Sequence, residues 1–398
     1  MEELILGELT ERKIGYGIIQ PGESTIGGVP VIKVNNIISG LKSIQDLDTT
    51  HPENDQKYRK TRLNGGEIII SVVGTIGKTA IVPMDFKGCN LVRATALIDI
   101  KDPILSRWVK YYIDSPKGQS YINGNLNTTV QPTLNIKSLV EMPIPFYGRE
   151  YAEKVVAILS KIDDKIENNR KINDNLEQQA QALYKSWFVD FEPFKDGEFF
   201  ESEFGLIPEG WRVGALSDLT EITMGQSPSG KSYNETGDGM LFYQGRAEFG
   251  DRYPSIRLYT TEPSRIAEQN SVLLSVRAPV GDTNIAYNKC CIGRGLASIK
   301  AKHGFNSFIF NMVKSLKDQF DLYNGEGTVF GSINRDSLNS MKVIVPTNDV
   351  ISDFEKIVAP LDFKYKSLFT ENLLLTQQRD TLLPKLMSGE LKINEIDC

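Results

Sequence analysis

The residues Gly225-Gln226-Ser227-Pro228-Ser229-Gly230-Lys231-Ser232 spell GxxxxGK[ST], the spacing with which a glycine-rich loop cradles phosphate. Such a loop needs a strand before it and a helix after it, so that backbone N–H groups and the helix N-terminus face the anion. Residues 233–239 (YNETGDG) carry two glycines and no apolar periodicity, so no helix opens there and the segment reads as a plain loop. The two histidines, His51 and His303, support neither a metal cluster nor acid–base work on imidazole. Four cysteines (Cys89, Cys290, Cys291 and Cys398) show no ligand spacing and no need of an oxidising compartment. Carboxylate pairs such as Asp163-Asp164 lie in a helical stretch, and there is no nuclease-type carboxylate–lysine cluster and no Asn-Pro-Pro-aromatic grip for an extruded base. The chain reads as non-catalytic, with no metal site and no catalytic residues.

What remains is a set of basic and amide residues at the ends of expected strands. They are Lys33, Asn35, Lys78, Arg93 and Gln131, and then Gln244, Arg246, Arg277, Arg294 and Asn334. In the DNA major groove arginine and lysine read guanine, while asparagine and glutamine read adenine. The same side chains also hold phosphates without reading anything. Each taken singly also reads as a surface residue or a local cap; the set gains weight because it occurs twice.

It occurs twice because the chain itself does. Leu6-Gly7-Glu8-Leu9-Thr10-Glu11 returns as Leu216-Ser217-Asp218-Leu219-Thr220-Glu221. Gly65–Thr79 returns as Gln269–Thr283, with Ser71 and Gly77 falling on Ser275 and Gly281, and residues 129–135 return as 328–334. The spacings are 210, 204 and 199 residues, far beyond a solenoid repeat of about 20–50 residues, so whole domains are duplicated. The expected order is a head over 1–148, a spacer helix over 149–190, an acidic aromatic connector over 191–209, a second head over 210–350, and a second spacer helix with tail over 351–398. Each head is strand-rich with one short helical stretch (Ile104–Ile113; Phe305–Phe320), so the fold class is α+β with a mixed sheet.

The helices announce themselves by heptads. From Glu150 to Phe188 there is neither proline nor glycine. One seam runs Val155, Ile162, Asn169, Leu176, Leu183, and the other Leu159, Ile166, Asn173, Ala180, Trp187. At 1.5 Å per residue this rod is about 55–60 Å long. Phe354, Leu361, Leu368, Leu375 and Leu382 repeat the seven-residue period near the other end. Pro360 is absorbed in the first turns, and Pro384 is expected to end or kink that helix. Pairing the two as an antiparallel coiled coil within the chain is the simplest arrangement. The linking segment Asp190–Gly210 reads as extended, burying its phenylalanines.

With 398 residues, 40% apolar and 24% charged, the composition is that of a soluble protein of two or three domains. The net charge of −6 argues against a strongly basic nucleic-acid binder, but it is unevenly placed. Residues 1–148 carry 16 Lys+Arg against 15 Asp+Glu, and 210–350 carry 15 against 14, so each head is +1 while 191–209 is −5. No apolar run reaches membrane length and the amino terminus lacks a secretory pattern, so the expected location is cytoplasmic.

Three segments carry a family resemblance: residues 175–194 (NLEQQAQALYKSWFVDFEPF), 205–211 (GLIPEGW) and 381–391 (TLLPKLMSGEL). With the repeated head–helix layout they closely resemble the specificity subunit of bacterial type I restriction–modification enzymes. The resemblance implies that each head is a target recognition domain reading half of a split double-stranded DNA site. It also implies that the paired helices set the distance between heads and dock two modification (methyltransferase) subunits, and that a restriction (translocase–nuclease) subunit joins them. S-adenosylmethionine and ATP would then sit on those partners, and this chain would hold no cofactor. Lys78 aligns with Asp282 and Gln131 with Phe330, so the two half-sites should differ. A tandem RNA-binding protein would instead need exposed aromatic strips, and a coiled-coil scaffold would show no salt-dependent DNA affinity.

Overall fold

A computed structural model describes residues 2–41, 43–127, 131–325 and 331–391. Phe330, Cys398 and positions 129–130 and 328–329 of the repeat lie outside the described residues. The chain forms two compact units, Met1–Asn168 with Glu371–Cys398 and Asn169–Thr370, so the division runs through the middle of both long helices.

In the first unit, Ile68–Ser71 is a central strand of a four-stranded antiparallel sheet, between Thr95–Asp99 and Thr79–Ile81, with Arg12–Tyr16 at the far edge. The apolar run that forms it is continuous because both of its faces are covered. Ile68 and Ile70 join Trp108, Val109, Val155, Leu159 and Leu386 in one core, while Ile69 packs with Ile32, Phe86 and Leu91 in another. The second core belongs to a three-stranded sheet in which Val29–Ile32 runs antiparallel to Asp48–Thr50 and parallel to Asn90–Leu91. The mixed pairing expected from sequence is therefore confined to this smaller sheet.

The second unit repeats the design. Val272–Ser275 is flanked by Leu296–Ala301 and Thr283–Ile285, with Thr220–Met224 at the edge. Met240–Tyr243 runs antiparallel to Leu258–Thr260 and parallel to Cys290–Ile292. Val272 and Leu274 face one core, which includes Phe308, Phe320 and Phe354, and Leu273 faces the other, with Tyr243 and Ile292. Each head carries two consecutive helices where one was expected: Pro103–Asp114 with Pro116–Gly124, and Asn306–Ser315 with Lys317–Asp321. In the first head Ser115 ends one helix and caps the next, and Pro116 starts it without needing a donor.

The long helices span Arg149–Phe188 and Asn348–Met387, 40 residues each. Within the first unit they run antiparallel. The Asn372 amide donates to the Ile166 carbonyl, Arg379 pairs with Asp163, and the Tyr151 hydroxyl donates to the Leu386 carbonyl. Within the second unit Tyr184 and Phe188 pack on Phe354 while Glu177 and Asp362 meet at Arg252, so the directions are again opposed. Of the expected seam, Val155, Leu159, Ile166, Phe354 and Leu368 are buried, while Ile162, Leu176, Leu183, Leu361, Leu375 and Leu382 are half-buried. Pro384 does not stop the second helix, which continues to Met387; the proline lacks only one donor, and the Ser388 N–H still reaches the Pro384 carbonyl. Pro360 also sits well inside the helix rather than in its first turns.

The connector is not extended throughout. Phe199–Ser202 and Gly205–Pro208 form a β-hairpin, closed by Gly205 at φ 86°, a left-handed backbone that suits glycine. Phe191 and Phe194 pack on Trp211 at ring distances of 5.6 and 5.1 Å, but Phe200 and Phe204 stay 41% and 44% exposed on the hairpin.

Candidate nucleic-acid interface

The candidate residues at the strand ends are placed by backbone geometry that both heads share. In the first head, parallel pairing sets Ile32 opposite Leu91, so Lys33 and Arg93 emerge from the same end of the pair. The Val92 N–H donates to the Ile32 carbonyl and the Arg93 N–H to the Ile18 carbonyl. In the second head Tyr243 lies opposite Ile292, so Gln244 and Arg294 emerge together, with the Gly293 N–H donating to the Tyr243 carbonyl at 2.8 Å.

A turn from the four-stranded antiparallel sheet is then brought to the same place. The Val72 N–H donates to the Ala94 carbonyl at 2.8 Å, beside Arg93, and the Val276 N–H donates to the Gly295 carbonyl at 2.9 Å, beside Arg294. Repeated serine and glycine residues shape that turn. The Ser71 hydroxyl donates to the Thr75 carbonyl and accepts from the Lys78 N–H, and Ser275 does the same with Pro279 and Asp282. Gly77 and Gly281 have φ of 81° and 98°; a Cβ there would also meet Gln119 at 2.8 Å and Phe320 at 2.6 Å. The turn carries Lys78 in one head and Arg277 in the other.

All ten candidate residues are exposed. Lys33 pairs with Asp48 at 2.5 Å and Arg246 with Asp282 at 2.6 Å. The side-chain oxygen of Asn334 caps helix Arg335–Asn339, accepting from the Ser337 N–H, which gives that residue a local structural task. Asn35 follows Lys33 in helix Val34–Ser39, and Gln131 lies just before the short strand Thr133–Leu134. The side chains of Lys78, Arg93, Gln244, Arg277 and Arg294 make no hydrogen bond or ion pair among the described residues, which leaves their donors facing solvent.

In the second head Gln244, Arg246, Ser275 and Arg277 line one hollow of about 300 Å³. Two further lining residues were not among the expected ones: Arg257 and its partner Glu248. Arg257 directly precedes a strand that the sequence alone did not reveal, since LYT is too short to show alternation.

The groups that suggested catalysis have other tasks. The Gly225 and Gln226 N–H groups donate to the Leu296 and Ile292 carbonyls, and Gly230–Ser232 forms a 3-10 turn that leads into a two-residue strand. The Ser232 hydroxyl is buried against Ser229 and Thr260. That arrangement has no helix N-terminus for a phosphate. The Cys89 thiol is pushed up to about 11 by burial and by Asp85, and that of Cys290 to about 12 by burial and by Cys291, so both stay protonated and poorly nucleophilic. Among the described residues no group of three or more His, Cys, Asp and Glu side chains could hold a metal ion.

Comparison with known proteins agrees with this geometry. The type I restriction modification DNA specificity domain matches residues 2–178 and again residues 208–358. A putative type I restriction enzyme MjaX specificity subunit of Methanocaldococcus jannaschii is 31% identical over 378 residues, covering 92% of this chain and 88% of that one. The type I restriction enzyme HindI specificity subunit of Haemophilus influenzae is 27% identical over 335 residues, with 65% and 71% covered. A crystal structure of a type I restriction–modification S subunit from M. genitalium shares the fold, with a TM-score of 0.54 at 16% identity over 97% of this chain and 95% of that one. The chain therefore belongs to the type I restriction–modification DNA specificity subunits.

Proposed function

We propose that each head reads one half of a split double-stranded DNA target, and that the chain lends this specificity to a type I complex without catalysing a step itself. The observation that carries the reading is that two heads of one backbone design share an arginine, Arg93 and Arg294, at one place but differ beside it, with Lys33 in one head where Gln244 stands in the other. Arg93 and Lys78 stand in one head, and Arg294, Gln244 and Arg277 in the other, with donors facing solvent. Different donors on equal frames suit different half-sites. Two modification subunits docked on the long helices, and a restriction subunit added to them, would supply methyl transfer and cleavage, with S-adenosylmethionine and ATP bound there. A cytoplasmic location fits these partners and the buried, unpaired thiols. Among the described residues no helix is long and apolar enough to cross a membrane.

The test is methylation by the assembled complex on a library in which both half-sites are randomised. Arg93→Ala relaxes one half-site and Arg294→Ala the other, each by about 1–3 kcal/mol for a base contact. Equal weakening on every sequence would identify phosphate contacts and refute the assignment. ATP hydrolysis by the purified chain, lost in Lys231→Ala, would overturn the non-catalytic part.

A further inference from the structure

The second head buries a carboxylate at the edge of its hollow in a way that folding alone does not explain. Glu248 closes a 3-10 turn, Arg246–Glu248, and is 3% exposed. One of its oxygens takes Nη2 of Arg257 at 2.5 Å; the other accepts no hydrogen bond from any described residue. Glu67 shows what a buried carboxylate looks like when its task is structural. At 2% exposure it accepts from the Asn64 and Gly65 N–H groups on separate oxygens, and from Arg12 as well. A half-satisfied buried carboxylate is costly to fold around, so its retention points to work done with its partner.

That partner lies in the open. Arg257 is 53% exposed and lines the same hollow as Gln244, Arg277 and Ser275. Held through one nitrogen, its planar guanidinium keeps the remaining N–H donors in a fixed fork, the form in which arginine reads guanine O6 and N7. The first head has helix Val34–Ser39 in place of this turn, and there the Lys33 N–H is taken by the Asn36 side chain.

We propose that Arg257 is a base-reading residue for the second half-site, with guanine as its target, and that Glu248 is the positioning residue that holds it. This rests on the half-site reading above. Methylation by the complete complex is scored on a library randomised at both half-sites, for wild type, Arg257→Ala, Arg257→Lys and Glu248→Gln. Arg257→Ala should lose discrimination roughly 5- to 150-fold at one base pair of the second half-site, the range for one bidentate contact, with the first half-site untouched. Arg257→Lys should keep overall affinity but lose most of that discrimination, because a point charge cannot fork. Glu248→Gln should give a smaller loss at the same base pair, which a purely structural role would not confine to one position. Uniform weakening on all sequences in Arg257→Ala would make it a phosphate contact, and unchanged profiles would make the pair structural; either sinks the assignment. A wild-type complex without preference in that half-site would overturn the half-site reading, and this assignment with it.

Discussion

Replacing Arg252 by alanine should loosen the second unit more than any other single change to a charged residue. Arg252 is 2% exposed and lies between the two long helices of that unit. Its Nη1 stands 3.2 Å from Glu177, its Nη2 pairs with Asp362, and its guanidinium sits over Phe310 and Tyr365 at 4.7 and 4.6 Å. Truncation leaves Asp362 without its buried partner, leaves Glu177 to Lys314 alone, and removes both ring contacts. Breaking a buried pair from one side costs about 3–5 kcal/mol, and the ring contacts overlap with that figure rather than adding to it. Taking about 4 kcal/mol, a unit of this size should melt roughly 8–16 °C lower. The assay is denaturant unfolding followed by fluorescence in a Trp108→Phe background, where Trp187 and Trp211 report on the second unit. The loss should persist at high salt, since the pair is shielded from counter-ions. A loss below about 1 kcal/mol, or one that salt abolishes, would show that the cluster is an ordinary surface pair.

Two other outcomes follow. Asp163 in the first unit is half-buried against Lys110, Arg379 and the Tyr111 hydroxyl; burial alone would raise its carboxyl, but the Lys110 and Arg379 charges outweigh that and hold it below its ordinary 3.8. The stability it contributes is full above 3.8 and fades as pH falls through the lower folded value, so Asp163→Asn should be less stable at neutral pH and show a flatter acid limb; parallel acid unfolding curves for the two proteins would refute this. A four-residue insertion after Asn173, about one helical turn, should change the preferred DNA spacer and leave both half-sites intact, whereas an unchanged optimum in an active complex would show that the helices are not the ruler.

The repeat was legible because burial dictates it. Ile68–Ile70 and Val272–Leu274 must be apolar on both faces, and Ser71, Gly77, Ser275 and Gly281 must hold one turn, so composition and spacing survive in each copy. The long helices were legible for the same reason, though two buried aromatic residues near the end of the first, Tyr184 and Phe188, fall outside both heptad seams. They face a head as well as the other helix, and a seven-residue count registers only one neighbour. The connector hairpin was hidden because Phe200, Phe204 and Leu206 are exposed, which erases the alternation that marks a half-buried strand. Which strands pair in parallel was hidden as well, since Asn90–Leu91 and Cys290–Ile292 are too short to show a period.

The placement of the candidate readers has a consequence for how specificity can change. Arg93, Arg294, Gln244 and Arg277 stand on backbone positions fixed by hydrogen bonds of their neighbours, while their own side chains touch little. Exchanging such residues moves stability by only about 0.5 kcal/mol, so half-sites can be rewritten there without disturbing the fold. Arg257 is different, because removing it strands Glu248 inside the head. A change of target at that position must therefore come as a pair: Arg257→Ala alone should lose stability as well as discrimination, and adding Glu248→Gln should restore much of the stability but none of the discrimination. If the double variant recovered both, the carboxylate alone would have been shaping the hollow.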